Sequence, residues 1–223
     1  MKMVKMLTLL AVLALVVPVA ANAQLVITGV LDGPLPGGVP KMIELFVCDD
    51  IADLSIYGLG CANNGGGTDG VEFTFPADAA TAGSFIYCES ISSTTPTAFV
   101  DFFGFAADYD VGFAAGTNGD DAIELFLVSG AEPVVVDVAG DINVDGTGTP
   151  WDYLDGWMKR TTSTGPDGST FVIGSWIFSG INALDGELTN DTAATPFPVG
   201  DYACDPAVST DDATFESIKA MFR

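Results

Sequence analysis

Short apolar runs broken by turn residues dominate the chain beyond residue 24, and few stretches carry helical spacing. Leu25-Val26-Ile27-Thr28-Gly29-Val30 is β-branched and ends at Asp32-Gly33-Pro34, which predicts a first strand. Asp32 to Pro40 holds three prolines and three glycines and predicts an irregular surface loop. Met42 to Val47 and Leu54 to Leu59 read as the next strands. Asn63 to Gly70 is too rich in glycine for regular structure. Val71 to Phe75 alternates apolar with polar residues, the mark of a half-buried strand, and Ser84 to Glu89 is another. Ala98 to Phe105 is aromatic and apolar, and Tyr109 to Thr117 loosens into a loop. Ala122 to Val128 and Pro133 to Val138 form a hairpin around Ser129-Gly130-Ala131. Trp157 to Thr162 and Thr170 to Phe178 make a last pair, with Gly165-Pro166-Asp167-Gly168 at the turn. Many short strands separated by such turns predict an all-β sandwich of antiparallel strands.

Only the C-terminal end looks helical. Ser209 and Asp212 stand at capping-box spacing, and Phe215, Ile218 and Phe222 share one face. Lys219 and Arg223 sit where positive charge complements a helix dipole. Residues 201–223 therefore read as a linker and a short amphipathic helix after a sandwich of residues 24–200.

One strand is written twice. Ile43-Glu44-Leu45-Phe46 runs into Cys48-Asp49-Asp50, and Ile123-Glu124-Leu125-Phe126 follows Asn118-Gly119-Asp120-Asp121. With Phe73-Thr74-Phe75-Pro76 and Ala82-Gly83-Ser84-Phe85-Ile86-Tyr87, the layout resembles the lamin-tail-like domain. The resemblance covers roughly residues 25–140 and extends more loosely to about residue 178. It implies an immunoglobulin-like β-sandwich, found alone or beside catalytic domains in secreted bacterial proteins, and itself non-catalytic.

The first 23 residues change the expected address. Lys2 and Lys5, the apolar run Met6 to Val17, and Ala21-Asn22-Ala23 form the three parts of a secretory signal peptide. The apolar run falls short of the roughly 20 residues needed to span hydrocarbon. Cleavage after Ala23 would leave a secreted or cell-surface protein with no later transmembrane segment. It would also leave five basic residues against 30 acidic ones, a net charge of −25. Such a surface repels phosphate backbones, so nucleic acid is not an expected partner. It suits cations, cationic surfaces or salty surroundings.

The chain has no histidine, which removes Ser-His-Asp and Cys-His catalysis, the usual general acid–base and most transition-metal ligation. Its four cysteines, Cys48, Cys61, Cys88 and Cys204, lie in the exported part and allow three pairings in an oxidising compartment. The expected pair is Cys48–Cys61, closing an Asp/Gly-rich excursion, with Cys88–Cys204 tying back the C-terminal extension. Free buried thiols are the alternative.

Candidate chemistry concentrates in Asp141-Ile142-Asn143-Val144-Asp145-Gly146-Thr147-Gly148-Thr149-Pro150-Trp151-Asp152. Oxygen side chains fall at positions one, three, five and twelve of an EF-hand-type calcium loop, with glycine at six. The predicted Ca²⁺ ligands are Asp141, Asn143, Asp145, the Thr147 carbonyl, Thr149 and Asp152. Asp at twelve reaches less far than the usual Glu, Pro150 stiffens the loop, and the flanking helices are missing. The competing reading is a loop of Asx turns whose side chains satisfy its own backbone. Trp151, Tyr153, Trp157 and Trp176 would stack on sugar rings if exposed and fill the core if not. The resulting expectation is a secreted, non-enzymatic binding or structural module whose partner is an extracellular protein or surface polysaccharide. A carbohydrate-binding protein using the Trp151–Trp176 region and an acid-only, metal-dependent hydrolase are the alternatives.

Overall fold

The structure is a computed structural model and describes residues 24–92 and 94–204. The expected signal peptide and the helix expected near the C-terminus lie outside the described residues. Within them, ten strands form two sheets. The six-stranded sheet contains β1 (Leu25–Leu35), β2 (Val39–Val47), β5 (Phe85–Glu89), β6 (Tyr109–Asp110), β9 (Trp157–Arg160) and β10 (Trp176–Phe178), in the order β10-β9-β1-β2-β5-β6. The four-stranded sheet contains β3 (Tyr57–Ala62), β4 (Phe73–Thr74), β7 (Ala122–Leu127) and β8 (Val134–Ala139), in the order β4-β3-β7-β8. Every pairing is antiparallel except the short parallel contact of β5 with β6.

Strand alternation builds the core. Ile43, Leu45 and Val47 of β2, Ile86 and Cys88 of β5, Leu59 and Cys61 of β3, and Ile123 and Leu125 of β7 all point between the sheets and pack in one cluster. The six-stranded sheet is buried on its other face too. There Leu31, Met42 and Trp157 meet Phe99, Phe102 and Phe103 of the one α-helix among the described residues, α1 (Ala98–Phe103), together with Leu184 and Phe197. Burial on both faces explains why β1 and β2 read as nearly continuous apolar runs.

Several expectations are corrected. The presumed loop from Asp32 to Pro40 is mostly strand: β1 continues to Leu35, β2 begins at Val39, and the turn between them is short. Asp32 anchors it from a buried position, accepting from Lys41 at 2.8 Å and from the Asp155 N–H at 3.2 Å. Leu54–Ile56 is a 3₁₀ turn ahead of β3. The aromatic run after Ala98 is α1, because Phe99, Phe102 and Phe103 stand at the three- and four-residue spacing that puts them on one helical face.

The disulfide pairing differs as well. Cys48 bonds Cys204, 156 residues away, and Cys61 and Cys88 are free and buried. Alternation gives the reason. Cys48 follows Phe46 on the outer face of the six-stranded sheet, where Tyr202 packs on Phe46 at 5.2 Å and carries Cys204 to it. Cys61 and Cys88 alternate with core residues and point inward.

A charged seam joins the two sheets beyond the end of β9. Asp137 of β8 accepts the Ile27 N–H at 2.9 Å, and Arg160 donates to the Ile27 carbonyl at 2.6 Å and to Asp137 at 2.7 Å. The ion pair thus takes over the hydrogen bonds of β1 where the ladder to β9 stops. Arg160 also bonds Asp167 at 2.6 Å and lies over the Trp176 ring at 4.4 Å. Burial pushes the Asp137 carboxyl up to about 6, with Arg160 pulling the other way.

Candidate functional site

The Asp141–Asp152 loop closes on itself through its own acceptors. Asp141 Oδ1 accepts the Asn143 N–H at 3.0 Å, and Asp145 Oδ1 accepts the Thr147 N–H at 2.9 Å. Hydrogen bonding from Thr147 holds the exposed Asp145 carboxyl below its ordinary range. The Thr149 hydroxyl donates to the Gly146 carbonyl at 2.7 Å. Asp152 spends one oxygen on the Gly148 N–H at 2.7 Å and the other on the Leu154 N–H at 3.1 Å. These are Asx-type turns. Among the described residues no three Asp, Glu or Cys side chains gather where a metal ion could sit. Of the six predicted ligands, Asp141, Asp145, Thr149 and Asp152 each hold a backbone hydrogen bond within or beside the loop.

Trp151 fixes the loop from beneath, buried against Gly140 and Gly146 and at 5.8 Å from the Phe171 ring. Trp157, Trp176 and Tyr153 are buried too, so these aromatics fill the core and the platform required by the sugar-stacking alternative does not face solvent. The Trp157 indole donates to the Thr195 carbonyl at 2.9 Å, and Tyr153 lies within 2.7 Å of the Thr117 hydroxyl.

The glycine-rich loop after β3 packs onto this one. The Gly67 N–H donates to the Ile142 carbonyl at 2.7 Å, and Gly65 lies against the backbone of Val144 and Asp145 with a φ of 67°. A side chain at residue 65 would meet that backbone and sit in the left-handed region. Asp121 ties the junction together, accepting from Asn64 at 2.7 Å and Asn118 at 3.1 Å. The chain then crosses the outer face of the four-stranded sheet. Glu72 accepts the Cys61 N–H at 2.9 Å, and the Glu72 N–H donates to the Leu59 carbonyl at 2.9 Å.

Under that crossing segment lies Glu124, the glutamate of the second repeated strand. It is fully buried, and among the described residues neither carboxylate oxygen has a partner at hydrogen-bond geometry. Burial pushes its carboxyl above the ordinary range, the Thr68 hydroxyl pulls it back, and the charges of Asp69 and Glu72 push it further up. The same surroundings raise the Cys61 thiol: burial first, then Asp121, Glu72 and Asp69. The thiol is thus kept protonated and unreactive.

The counterpart, Glu44, is equally buried but fully answered. It pairs with Lys159, accepts the Thr28 hydroxyl at 2.6 Å, and accepts the Gly200 N–H at 2.8 Å. Lys159 in turn lies 5.0 Å from the centre of the Phe197 ring. Sequence reasoning passed over both glutamates. The available signal was the repeat itself, which places an acid at a position flanked by core residues on each side.

Comparison of the chain with family models, with curated proteins and with solved structures found no match. Among the described residues no helix is long and apolar enough to cross a membrane.

Proposed function

We propose that the chain is an exported, non-catalytic, immunoglobulin-like sandwich of the lamin-tail-like type, acting as a binding or structural module at or beyond the cell surface. The observation that carries this reading is the disposition of charge. The described residues contain three basic side chains, Lys41, Lys159 and Arg160. Their ion-pair partners are Asp32, Glu44, and Asp137 with Asp167. Lys159 and Arg160 are buried outright and Lys41 nearly so. The described exterior is left to acidic and neutral groups, which fits a partner that is basic or is reached through cations. The Cys48–Cys204 bond supports the exported address, since such bonds persist in oxidising compartments. With the four aromatics buried, an extracellular protein fits the partner better than a polysaccharide.

Cell fractionation with mass spectrometry of the non-reduced protein tests this reading. The expected result is a chain outside the cytoplasm that begins at Gln24 and holds Cys48 joined to Cys204. A chain retained inside with residues 1–23 attached would overturn it.

A further inference from the structure

The buried charge of Glu124 has no answer within the described protein. An ionised carboxylate in that position, without a counter-charge, carries a large desolvation penalty that the nearby Thr68 hydroxyl only partly offsets. Lys41, Lys159 and Arg160 are committed elsewhere, to Asp32 and the Thr117 carbonyl, to Glu44, and to Asp137 with Asp167. A proton or an external cation must therefore neutralise it. The groups around it are oxygen donors. Thr68, Asp69 and Glu72 all act on its charge, and Glu72 already serves the Cys61 N–H. The Gly70 carbonyl crosses directly over Gly60, which is the register partner of Glu124. A Cβ at residue 60 would collide with that carbonyl, so the glycine is what lets the oxygen approach this part of the sheet. Asp69 itself is exposed, and its carboxylate acts on the buried one. These two carboxylates repel unless something positive lies between them.

We propose that Glu124 and Asp69, assisted by the Thr68 hydroxyl and the Gly70 carbonyl, bind a divalent cation of the calcium class. Hard, all-oxygen donors of mixed charge suit Ca²⁺ and leave room for water in its shell. Two carboxylates, not three, supply the anionic part. The site is separate from the Asp141–Asp152 loop, although the glycine-rich segment leading to it rests on that loop. A cation here would draw the crossing segment onto the sheet and answer Glu124 as Lys159 answers Glu44.

The test is calorimetric titration with calcium chloride of purified protein first stripped with chelator. The set comprises the wild type, Glu124→Gln, Asp69→Asn and the double variant Asp141→Asn/Asp145→Asn. The expected result is wild-type binding that weakens at least about tenfold in both Glu124→Gln and Asp69→Asn and persists in the double variant. Asp69 is exposed, so Asp69→Asn keeps the test valid if circular dichroism shows that Glu124→Gln does not fold. Absence of wild-type heat at millimolar calcium would overturn the proposal. So would unchanged binding in Asp69→Asn, or binding lost only in the double variant, which would assign the ion to the other loop. Because the titration uses purified protein, its outcome does not depend on where the cell places the chain.

Discussion

The same four residues, Ile-Glu-Leu-Phe, serve two antiparallel strands, with isoleucine and leucine turned inward and glutamate and phenylalanine outward. What differs is the cover laid over each outer face. On the six-stranded sheet the cover comes from α1 and from the segments carrying Phe197, Gly200 and Tyr202. Beside it, β9 contributes Lys159, and Phe46 packs between Phe85 at 4.9 Å and Tyr202 at 5.2 Å. On the four-stranded sheet the cover is the crossing segment before β4. It brings Thr68, Asp69 and Glu72 to Glu124 and lies over Gly58 and Gly60. Alternation decides that an acid will be buried, and the chain crossing above it decides whether that acid is paired. The first strand has an internal ion pair; the second has no counter-charge among the described residues.

The largest effect should come from removing the counter-charge of the first strand. Lys159→Met leaves Glu44 buried beside only its neutral donors and should cost about 3–5 kcal/mol in urea unfolding. The double variant Lys159→Met/Glu44→Leu should recover most of that loss, because no uncompensated charge remains. A single variant within about 0.5 kcal/mol of wild type would mean that Glu44 does not need its lysine, and the contrast between the two strands would vanish. A smaller loss is expected when the cover over Glu44 is untied. Cys204→Ser frees the segment that brings Gly200 to Glu44 and should cost about 2–4 kcal/mol. The same protein offers a check on the pairing. Wild type should show two thiols, Cys61 and Cys88, reacting with a thiol reagent only after denaturation, whereas readily titrated native thiols would contradict their burial.

Most of the strand content was legible in the chain because it rests on local alternation, as in the Ala122–Val128 and Pro133–Val138 hairpin, which forms β7 and β8. The errors came where a longer-range fact overruled a local one. Proline and glycine between Asp32 and Pro40 argued for a loop, yet pairing along β1 and β2 carries the ladder almost to the turn. Loop-bracketing suggested Cys48–Cys61, while alternation, already visible in Phe46 and Leu59, sends the two side chains to different faces of different sheets. In the Asp141–Asp152 loop the spacing picked out Asp141, Asp145 and Asp152, each of which accepts a backbone N–H, as the Asx-turn reading allows. Glu124 escaped notice because a lone glutamate in a strand ordinarily faces water. The path that carries Thr68, Asp69 and Glu72 to Glu124 is a tertiary fact that no local periodicity announces.

Glu124→Gln should act in the opposite direction from the lysine substitution and by a smaller amount. The folded carboxyl titrates above its unfolded range, so the folded protein holds its proton more tightly. Stability from this group is fully present below the unfolded value, about 4.3, and is lost as pH rises through the folded one. Glutamine carries no such proton and escapes the loss. In chelator, the substitution should therefore raise unfolding free energy by about 1–3 kcal/mol at pH 8 and change it little at pH 4. Thermal unfolding across that range measures the difference directly. Adding calcium at pH 8 should stabilise wild type and not the variant, narrowing or reversing the gap, because the ion then supplies to Glu124 what Lys159 supplies to Glu44. If the variant is less stable than wild type at pH 8 even in chelator, Glu124 has a partner within the chain, and the asymmetry between the two strands is not one of charge.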